Sequence, residues 1–331
     1  MSLIAPTLQQ FFTGYLIGQK DASTHTIAAY RDVWRLLLGY LDNHHHLRPS
    51  TIDFTDLDAE TITGFLAYLE TIRGNSARTR NARLAAIHSF FAYAAYRHPE
   101  HAEVIRHVLA LKGKNTTKAQ ICYLTDDEVD ALLDAPLSIG WVGERDRLII
   151  LALVSTGLRV SELTHLSWVD VQLTRPAHVA VHGKGRKDRI TPLGSTAQQA
   201  FQDWRHRNIS ASVDASVFPS QGTARAMTSG AVERRLHLHA SRAAGPCPSL
   251  RSKNVTPHVL RHTTAMRMLA AGIDIATISL WMGHASIDST SAYIQGDLGM
   301  KQRALDRTAQ PDSIPGRYVP ADSLLEFLEN L

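Results

Sequence analysis

The side chains of this sequence that are best suited to phosphate chemistry lie between residues 256 and 293. They are His258, Arg261, His284 and Tyr293. Thr256 followed by Pro257 is typical of a helix start, because Thr caps a helix and Pro fits its first position. His258 and Arg261 are three residues apart, so they lie on one face of that helix. Both side chains can therefore reach one ligand.

A tyrosine needs cationic neighbours to act as a nucleophile at neutral pH, since the pKa of its hydroxyl is about 10. Arginine is well suited to this task, because its forked donors bind phosphodiester oxygens and stabilise the charge of the transition state. Arg261 is one candidate. Arg159 is the second, and it follows the helix-breaking Gly157. An apolar run at residues 148–154 precedes this turn, and Glu162 lies one turn after it.

Further elements must position these side chains. Gly272 ends the helix that starts at Pro257, and a second short helix at residues 273–280 leads to Gly283. The other elements predicted in this half are a helix at 126–133 opened by a capping box of Thr125 and Glu128, a short sheet at about 177–192, a helix at 228–240 and an exposed loop at 243–254.

Four motifs resemble, in order and spacing, those of the tyrosine recombinase (phage integrase) family, including its Xer-like members. They are TGLRVSEL at residues 156–163, GKGRKDRITPL at 183–193, TPHVLRH at 256–262, and MGHAS at 282–286 with Tyr293 after it. The match covers the whole catalytic half of the chain. Met282 stands where the family more often has Leu, a change that preserves bulk.

The resemblance implies a role for each matching side chain. Arg159 and Arg261 clamp the scissile phosphate of DNA. His258 and His284 donate further hydrogen bonds to that phosphate, and Tyr293 is the nucleophile. The implied reaction is a transesterification through a 3′-phosphotyrosine, which conserves bond energy and needs neither a metal nor another cofactor.

Two more residues take roles by the same resemblance. Lys184, in the turn between the predicted strands, matches the hairpin lysine that protonates the departing 5′ oxygen, and Glu162 matches a supporting acid that orients the first arginine or its histidine neighbours. The implied function is site-specific DNA recombination for integration or excision. Chain length and polar insertions favour a mobile element over the alternative, Xer-like resolution of chromosome or plasmid dimers. A DNA-binding protein of this fold without cleavage activity is a further alternative.

Length and composition are those of a two-domain globular protein, with 331 residues of which 44% are hydrophobic. The formal net charge is +4. Two cysteines, Cys122 and Cys247, are too few for a disulfide framework, as is typical of a reducing cytoplasm. We expect neither a signal peptide nor a membrane span from this sequence. The predicted location is the cytoplasm, in association with the nucleoid.

The N-terminal part is predicted to be all-helical, because apolar residues recur at helical spacing. The predicted helices are residues 7–17, residues 26–41, one capped by Asp58 or Thr61 that runs to Leu69, and residues 78–96 after Ser76. Residues 71–118 hold nine Lys and Arg against two acids, which indicates a surface that faces nucleic acid. The candidate DNA-binding residues are Arg78, Arg80, Arg83, Lys112 and Lys114. Arg80 and Arg83 are predicted to lie off the apolar stripe, where they can contact phosphates.

The predicted fold class is mainly α with a small β-sheet (α+β). The resemblance implies an N-terminal SAM-like core-binding bundle and a C-terminal catalytic domain that form a C-shaped clamp on double-stranded DNA. The predicted boundaries are 1–111 for the bundle, 112–120 for a linker, 121–310 for the catalytic domain and 311–331 for a C-terminal tail.

The tail carries an apolar stripe that is too short to form a stable helix alone, so it must dock somewhere. Its residues are Leu324, Leu325, Phe327, Leu328 and Leu331. The resemblance favours docking on a neighbouring protomer in a tetramer that joins two DNA sites, formed by copies of this chain or with a related recombinase. Docking on its own catalytic domain is the alternative.

Metal and nucleotide sites are weaker interpretations. The consecutive histidines 44–46 do not set three ligands tetrahedrally, and a solvated turn is favoured there. His258 and His262 have the spacing of a zinc helix, but Val259 replaces the glutamate of that motif. Residues 183–187 lack the spacing of a phosphate-binding loop. No metal site is predicted, and a metal-dependent nuclease lacks its acidic cluster.

Overall fold

The computed structural model describes residues 3–116, 121–137, 140–182, 188–209 and 211–283. The chain divides into two compact units, Met1–Ala119 and Gln120–Leu331. We call them the N-terminal and C-terminal units. Helices dominate both, and a small sheet lies in the second, so the predicted fold class is confirmed.

The N-terminal unit is a bundle of helices. Its elements are α1 (Ile4–Gln10), a π-helix (Phe11–Gln19), α2 (Thr24–His45), α3 (Ala59–Thr71), α4 (Ala77–Ala95) and α5 (Ala102–Leu109). Helix α4 packs against α2, α3 and α5. Aromatic side chains fill the middle of the bundle, and Phe11, Phe54 and Phe90 are fully buried.

Side-chain caps start the main helices of this bundle. Asp58 accepts a hydrogen bond from the Thr61 amide at 2.8 Å and begins α3, and Ser76 accepts one from the Thr79 amide at 3.2 Å and begins α4. Both starts were predicted. Helix α5 was not predicted, since it is short and its buried residues, Ile105 and Val108, are a single helical turn apart.

The prediction of a turn at the three consecutive histidines was wrong. Helix α2 continues through His45 and ends at His46, which adopts the left-handed conformation. The ring of His44 packs against those of Tyr40 and Tyr68, with centroids 4.9 and 5.2 Å apart. These aromatic contacts extend the helix beyond its predicted end.

The C-terminal unit is built around one buried helix. Its helices are α6 (Asp126–Asp134), α7 (Gly140–Thr156), α8 (Val160–Thr164), α9 (Ser195–Arg207), α10 (Ser229–Ala243), α11 (Pro257–Ala270) and α12 (Ile275–Met282). Helix α7 carries the apolar run, is buried on nearly every face, and packs against α6, α9 and α11. Helix α9 was not predicted.

A three-stranded antiparallel sheet lies between α8 and α9 in the chain. Its strands are β1 (Val171–Gln172), β2 (His178–Val181) and β3 (Arg189–Pro192), in the order β1-β2-β3. Val179 pairs with Thr191, and Val181 pairs with Arg189. The predicted hairpin is therefore confirmed, and β1 is an additional strand.

The prediction of an exposed loop at residues 243–254 was wrong only in part, because most of these residues are exposed but the segment is structured and anchored. A short 3₁₀ helix, Pro248–Ser252, lies there with Leu250 buried. Lys253 Nζ donates to Glu128 Oε2 at 2.6 Å, which ties the segment to the capping box of α6. The polar composition of this segment did not reveal that Leu250 is buried or that Lys253 binds Glu128.

Within the described ranges, no helix is long and apolar enough to span a membrane.

Candidate active site

Two glycines shape the backbone at the candidate site. Gly157, with φ +67°, ends α7 and lets the chain turn sharply to Arg159, the N-terminal cap residue of α8. A Cβ at this position would lie 2.7 Å from Met282 Sδ, so close packing also requires glycine here. Gly283, with φ +61°, ends α12 in the left-handed conformation.

Helix α11 is held firmly against α7. Thr256 caps it by accepting from the Val259 amide at 3.3 Å, as predicted. Thr264 Oγ1 donates to the Val154 carbonyl at 2.8 Å, and this bond is buried. These contacts fix the helix face that carries Arg261.

Arg159 and Arg261 meet at the C-terminal end of α12. The two Nη groups of Arg261 donate to the carbonyls of Gly157 and Met282. Nη2 of Arg159 donates to the Gly283 carbonyl at 2.8 Å. The last carbonyls of a helix lack partners within the helix and carry its negative dipole end, so they attract guanidinium groups. The structure therefore brings together the two arginines that the sequence nominated.

Glu162 holds Arg159 through both its backbone and its side chain. Its Oε2 accepts from the Arg159 amide at 2.7 Å, and its Oε1 accepts from Nη1 of Arg159 at 2.8 Å. Burial acts to raise the pKa of Glu162, but hydrogen bonds from Arg189 and the Arg159 amide outweigh burial and lower this pKa to about 2. Glu162 is therefore ionised at neutral pH.

The two arginines differ in exposure. The Arg159 side chain is 44% exposed, whereas Arg261 is 3% exposed. A ligand approaching from solvent can therefore reach Arg159, whereas Arg261 is enclosed. The site is thus a cationic group at the surface, braced from below by an ionised carboxylate.

His258 lies close to this cationic pair and is kept neutral. Burial lowers the pKa of His258 first, followed by the positive charges of Arg261 and Arg159. Its ring centroid is 4.1 Å from that of His262. Among the described residues, no group of three His, Cys, Asp or Glu side chains is placed to hold a metal ion.

Arg189 is a site residue that the sequence pattern did not predict. The structure places its guanidinium at this site, where Nη1 and Nη2 donate to the two carboxylate oxygens of Glu162 at 2.9 and 2.7 Å. The signal in the sequence was a basic residue beside the hairpin turn, but only the fold shows that it points at Glu162.

Three of the predicted catalytic residues lie outside the described residues: Lys184, His284 and Tyr293. The tail at 311–331 also lies outside them. The structure therefore positions Arg159, Glu162, His258 and Arg261, and leaves the roles of the other three as sequence-based predictions.

The predicted DNA-binding residues of the N-terminal unit divide by exposure. Arg78 and Lys112 are exposed, and Lys114 is exposed with its Nζ donating to Glu70 at 2.8 Å. Arg83 is only partly exposed.

The predicted outward placement of Arg80 was wrong. Arg80 is buried, at 8% exposure, with Nε 3.5 Å from a Glu70 oxygen. It precedes Leu84 by four residues on α4 and so falls on the buried face of that helix.

Comparison with known proteins gives consistent matches along the chain. The phage integrase family matches residues 122–298, and the family described as phage integrase, N-terminal SAM-like domain, matches residues 8–98. A protein of Sinorhizobium fredii named "Putative integrase/recombinase y4rC" is 42% identical over 99% of this chain and 98% of its own length. A tyrosine recombinase XerC of Pelobacter propionicus is 30% identical over 93% of this chain and 99% of its own length.

A solved structure shares the fold. The integrase of the transposon Tn1549, in complex with transposon right end DNA, has a TM-score of 0.71 at 17% identity. The alignment covers 93% of this chain and 99% of that one. At this level of identity the likeness concerns the fold alone.

Proposed function

The chain belongs to the phage integrase family and is a site-specific tyrosine recombinase, and on that premise we propose that it cuts and rejoins double-stranded DNA through a covalent 3′-phosphotyrosine. The observation that carries this proposal is the meeting of Arg159 and Arg261 at one carboxylate-braced site. An exposed cation together with a buried one suits a phosphodiester, whose oxygens need more than one donor.

In the proposed reaction, Arg159 and Arg261 bind the non-bridging oxygens of the scissile phosphate. The Tyr293 hydroxyl passes its proton to the lone pair of neutral His258 as its oxygen attacks the phosphorus, the bond from phosphorus to the 5′ oxygen breaks, and Lys184 gives that oxygen a proton. A 5′ hydroxyl from another strand then attacks the phosphotyrosine and returns its proton to Lys184, while the tyrosine oxygen leaves and takes back the proton from His258, which restores the diester. Each step exchanges one phosphodiester bond for another, so no external energy source is needed.

His258, kept neutral by its surroundings, has one ring N–H to donate to a phosphate oxygen and one lone pair to accept a proton. We assign it, with His284, to the hydrogen-bonding shell of the phosphate. Glu162 has a supporting role, because it holds Arg159 rather than the DNA.

The two units have separate tasks in this proposal. Residues 1–111 form a bundle that contacts the DNA backbone through exposed groups such as Arg78 and Lys112. Residues 112–120 link this bundle to the catalytic domain at 121–310. Residues 311–331 serve assembly. A recombination reaction joins two DNA sites, so we propose a tetramer in a cytoplasmic, nucleoid-associated setting. Integration or excision of a mobile element is the proposed biological role.

The decisive experiment traps the covalent intermediate. Full-length protein is incubated in EDTA with sheared genomic DNA of its source organism, denatured with SDS, and the DNA that stays attached is sequenced. A nicked suicide duplex built on the recovered site then gives a protein-linked product with wild-type protein. The variant Tyr293→Phe binds the same duplex but forms no such product.

Other outcomes would reject the proposal. Binding without any covalent product would identify a DNA-binding protein that no longer cuts, and hydrolysis that requires added metal would identify a nuclease. Relaxation of plasmids of unrelated sequence as fast as those carrying the site would identify a topoisomerase. Recovered DNA from the chromosome-dimer resolution site would support the Xer-like alternative.

A further inference from the structure

Each guanidinium nitrogen of Arg189 donates a hydrogen bond at the candidate site, although the proposed reaction assigns this residue no step. Nη1 and Nη2 bind Glu162 in a bidentate manner, and Nε donates to the Trp281 carbonyl at 3.1 Å. The side chain is 12% exposed. A largely buried guanidinium with three directed bonds is rigidly held.

Three arginines from three different elements bind three successive carbonyls at the end of α12. Arg189 of β3 binds that of residue 281, Arg261 of α11 binds that of residue 282, and Arg159 at the start of α8 binds that of residue 283. Glu162 connects two members of this row, because it accepts from both Arg159 and Arg189. The row therefore fixes the phosphate-binding arginines and the end of α12 relative to each other.

We propose that Arg189 is a positioning residue for DNA strand cleavage, acting through Glu162 and the end of α12 to hold Arg159 in its phosphate-binding orientation. This inference rests on the proposed function of the same site. Arg189 does not touch the phosphate in this assignment, and its effect passes through the two groups that it binds.

The geometry requires arginine rather than another cation. A lysine presents one ammonium and does not form two parallel bonds to Glu162 together with a third to the Trp281 carbonyl. The packing is also close, because a Cβ at Gly283 would lie 3.0 Å from Nη1 of Arg189. Without Arg189, Glu162 keeps its bonds to Arg159 but loses the contacts that orient its carboxylate.

The test uses full-length Arg189→Met and Arg189→Lys proteins on the nicked suicide duplex that carries the recovered site. Losing a hydrogen bond to a charged group typically slows a reaction that depends on it by about ten- to hundredfold. We expect Arg189→Met to slow cleavage by this factor under single-turnover conditions. Affinity for the duplex stays within about threefold, since exposed Arg159 still attracts DNA. Arg189→Lys keeps the charge and recovers only part of the rate.

A pH profile separates positioning from plain structural support. Among the residues that the structure describes, the charged groups that bind Glu162 are Arg159, from its own turn, and Arg189, from β3. Hydrogen bonding by Arg189 is the largest effect that lowers the pKa of Glu162, so its removal raises this pKa. The ratio of the Arg189→Met rate to the wild-type rate then falls at a higher pH than any loss in wild type, as pH decreases towards the raised pKa of Glu162, because protonated Glu162 releases Arg159.

A matched control removes an equivalent ion pair elsewhere in the same unit. Arg235 donates to the buried Asp146, which also binds Arg145, just as Glu162 is shared by two arginines. Arg235→Met is expected to lower the melting temperature as much as Arg189→Met or more, while cleavage and its pH profile stay as in wild type.

A double variant tests whether Arg189 acts through Glu162. In the Glu162→Gln background, Arg189→Met adds little to the loss of cleavage rate already caused by Glu162→Gln.

Each outcome decides one question. If the wild-type protein forms no covalent product, the proposed function fails. If wild type cleaves and Arg189→Met cleaves equally fast with the same pH profile, the positioning role of Arg189 is overturned while the function stands. If Arg189→Met does not fold, Arg189→Lys carries the test, and wild-type cleavage by a folded Arg189→Lys protein overturns the role.

Discussion

Two carboxylates in the C-terminal unit are each shared by two arginines, and they differ in what surrounds them. Asp146 binds Arg145 at 2.8 Å and also binds Arg235 and His239. Glu162 binds Arg159 and Arg189. Burial acts to raise the pKa of each carboxylate, and the hydrogen bonds they accept outweigh burial, so both pKa values are lowered.

Exposure separates the two clusters. At Asp146, the Arg145 side chain is 4% exposed, that of His239 is fully buried and that of Arg235 is 26% exposed, whereas Arg159 at Glu162 is 44% exposed. The more enclosed Asp146 cluster contributes mainly to folding and offers less of a cation to a ligand. A cluster with one open cation can bind an anion at that cation and keep it oriented through the other members. An arginine–carboxylate pair therefore indicates a site only when one cation faces solvent.

The largest expected effect is the loss of cleavage rate on replacing Arg159, the exposed arginine of the Glu162 cluster. Removal of one donor that stabilises transition-state charge typically costs about 10²- to 10³-fold in rate, and we expect a loss of this size for Arg159→Lys, because an ammonium does not reproduce the forked donors. Single-turnover cleavage of the suicide duplex measures it, with denaturant unfolding as the control for stability. Unchanged cleavage would remove Arg159 from the phosphate site.

The more enclosed cluster around Asp146 should show the opposite pattern, with a large loss of stability and no loss of cleavage. Breaking a buried ion pair typically costs about 3–5 kcal/mol of folding free energy, and Asp146→Asn is expected to lower the free energy of unfolding by about this amount. Cleavage per folded molecule stays at the wild-type rate at temperatures well below the melting point. Urea unfolding and single-turnover cleavage, measured on one preparation, test both expectations. A cleavage defect in fully folded Asp146→Asn would contradict the assignment of this cluster to folding alone.

Glu162→Gln is expected to give an intermediate result. The amide keeps the shape of the side chain but loses the charge that holds two guanidinium groups, so cleavage falls by about ten- to hundredfold. The free energy of unfolding falls less than for Asp146→Asn, because Arg159 is solvated when released and only Arg189 is left enclosed, whereas Asp146→Asn leaves both Arg145 and His239 enclosed. A stability loss equal to that of Asp146→Asn, with normal cleavage, would make the two clusters equivalent.

Two glycines test how closely the site is packed. Left-handed backbone costs a non-glycine residue roughly 1–2 kcal/mol, so both Gly157→Ala and Gly222→Ala should destabilise the protein. Nothing lies within 4 Å of a Cβ at residue 222, whereas Met282 Sδ lies 2.7 Å from one at residue 157. Gly157→Ala should therefore lose more stability than Gly222→Ala in urea unfolding, and equal losses would show that Met282 moves aside freely.

The smallest expected effect is the titration of His258. Its pKa lies below the usual 6.5, so the unfolded chain takes up this proton first as pH falls. The folded state accordingly loses the contribution of His258 to stability as pH falls through about 6.5 towards its folded pKa. NMR of the imidazole protons should place His258 below 6.5 and exposed His182 above it, because Asp188 and Asp170 raise the pKa of His182. Arg159→Met should raise the pKa of His258, because it removes one of the positive charges that lower it.

Local signals in the sequence determined much of what the structure shows. Helix starts were predicted correctly from capping side chains, because such a side chain bonds to amides two or three residues away. These caps are Asp58, Ser76, Thr256 and the Thr125–Glu128 capping box. The motifs around Arg159 and Arg261 predicted phosphate chemistry at these residues. Such features depend on neighbours in the chain and are readable without the fold.

Only the tertiary structure decided which arginines share a site. Arg159 and Gly283 are 124 residues apart, and Arg189 and Trp281 are 92 apart, yet each pair is joined by a hydrogen bond. Arg80 and Arg78 are two residues apart on one helix, and only Arg80 is buried. Composition does not distinguish these cases, because burial and long-range pairing arise from how helices pack. The sequence alone thus determined the residue types able to bind a phosphate, and packing at the end of α12 decided that Arg159, Arg189 and Arg261 meet there.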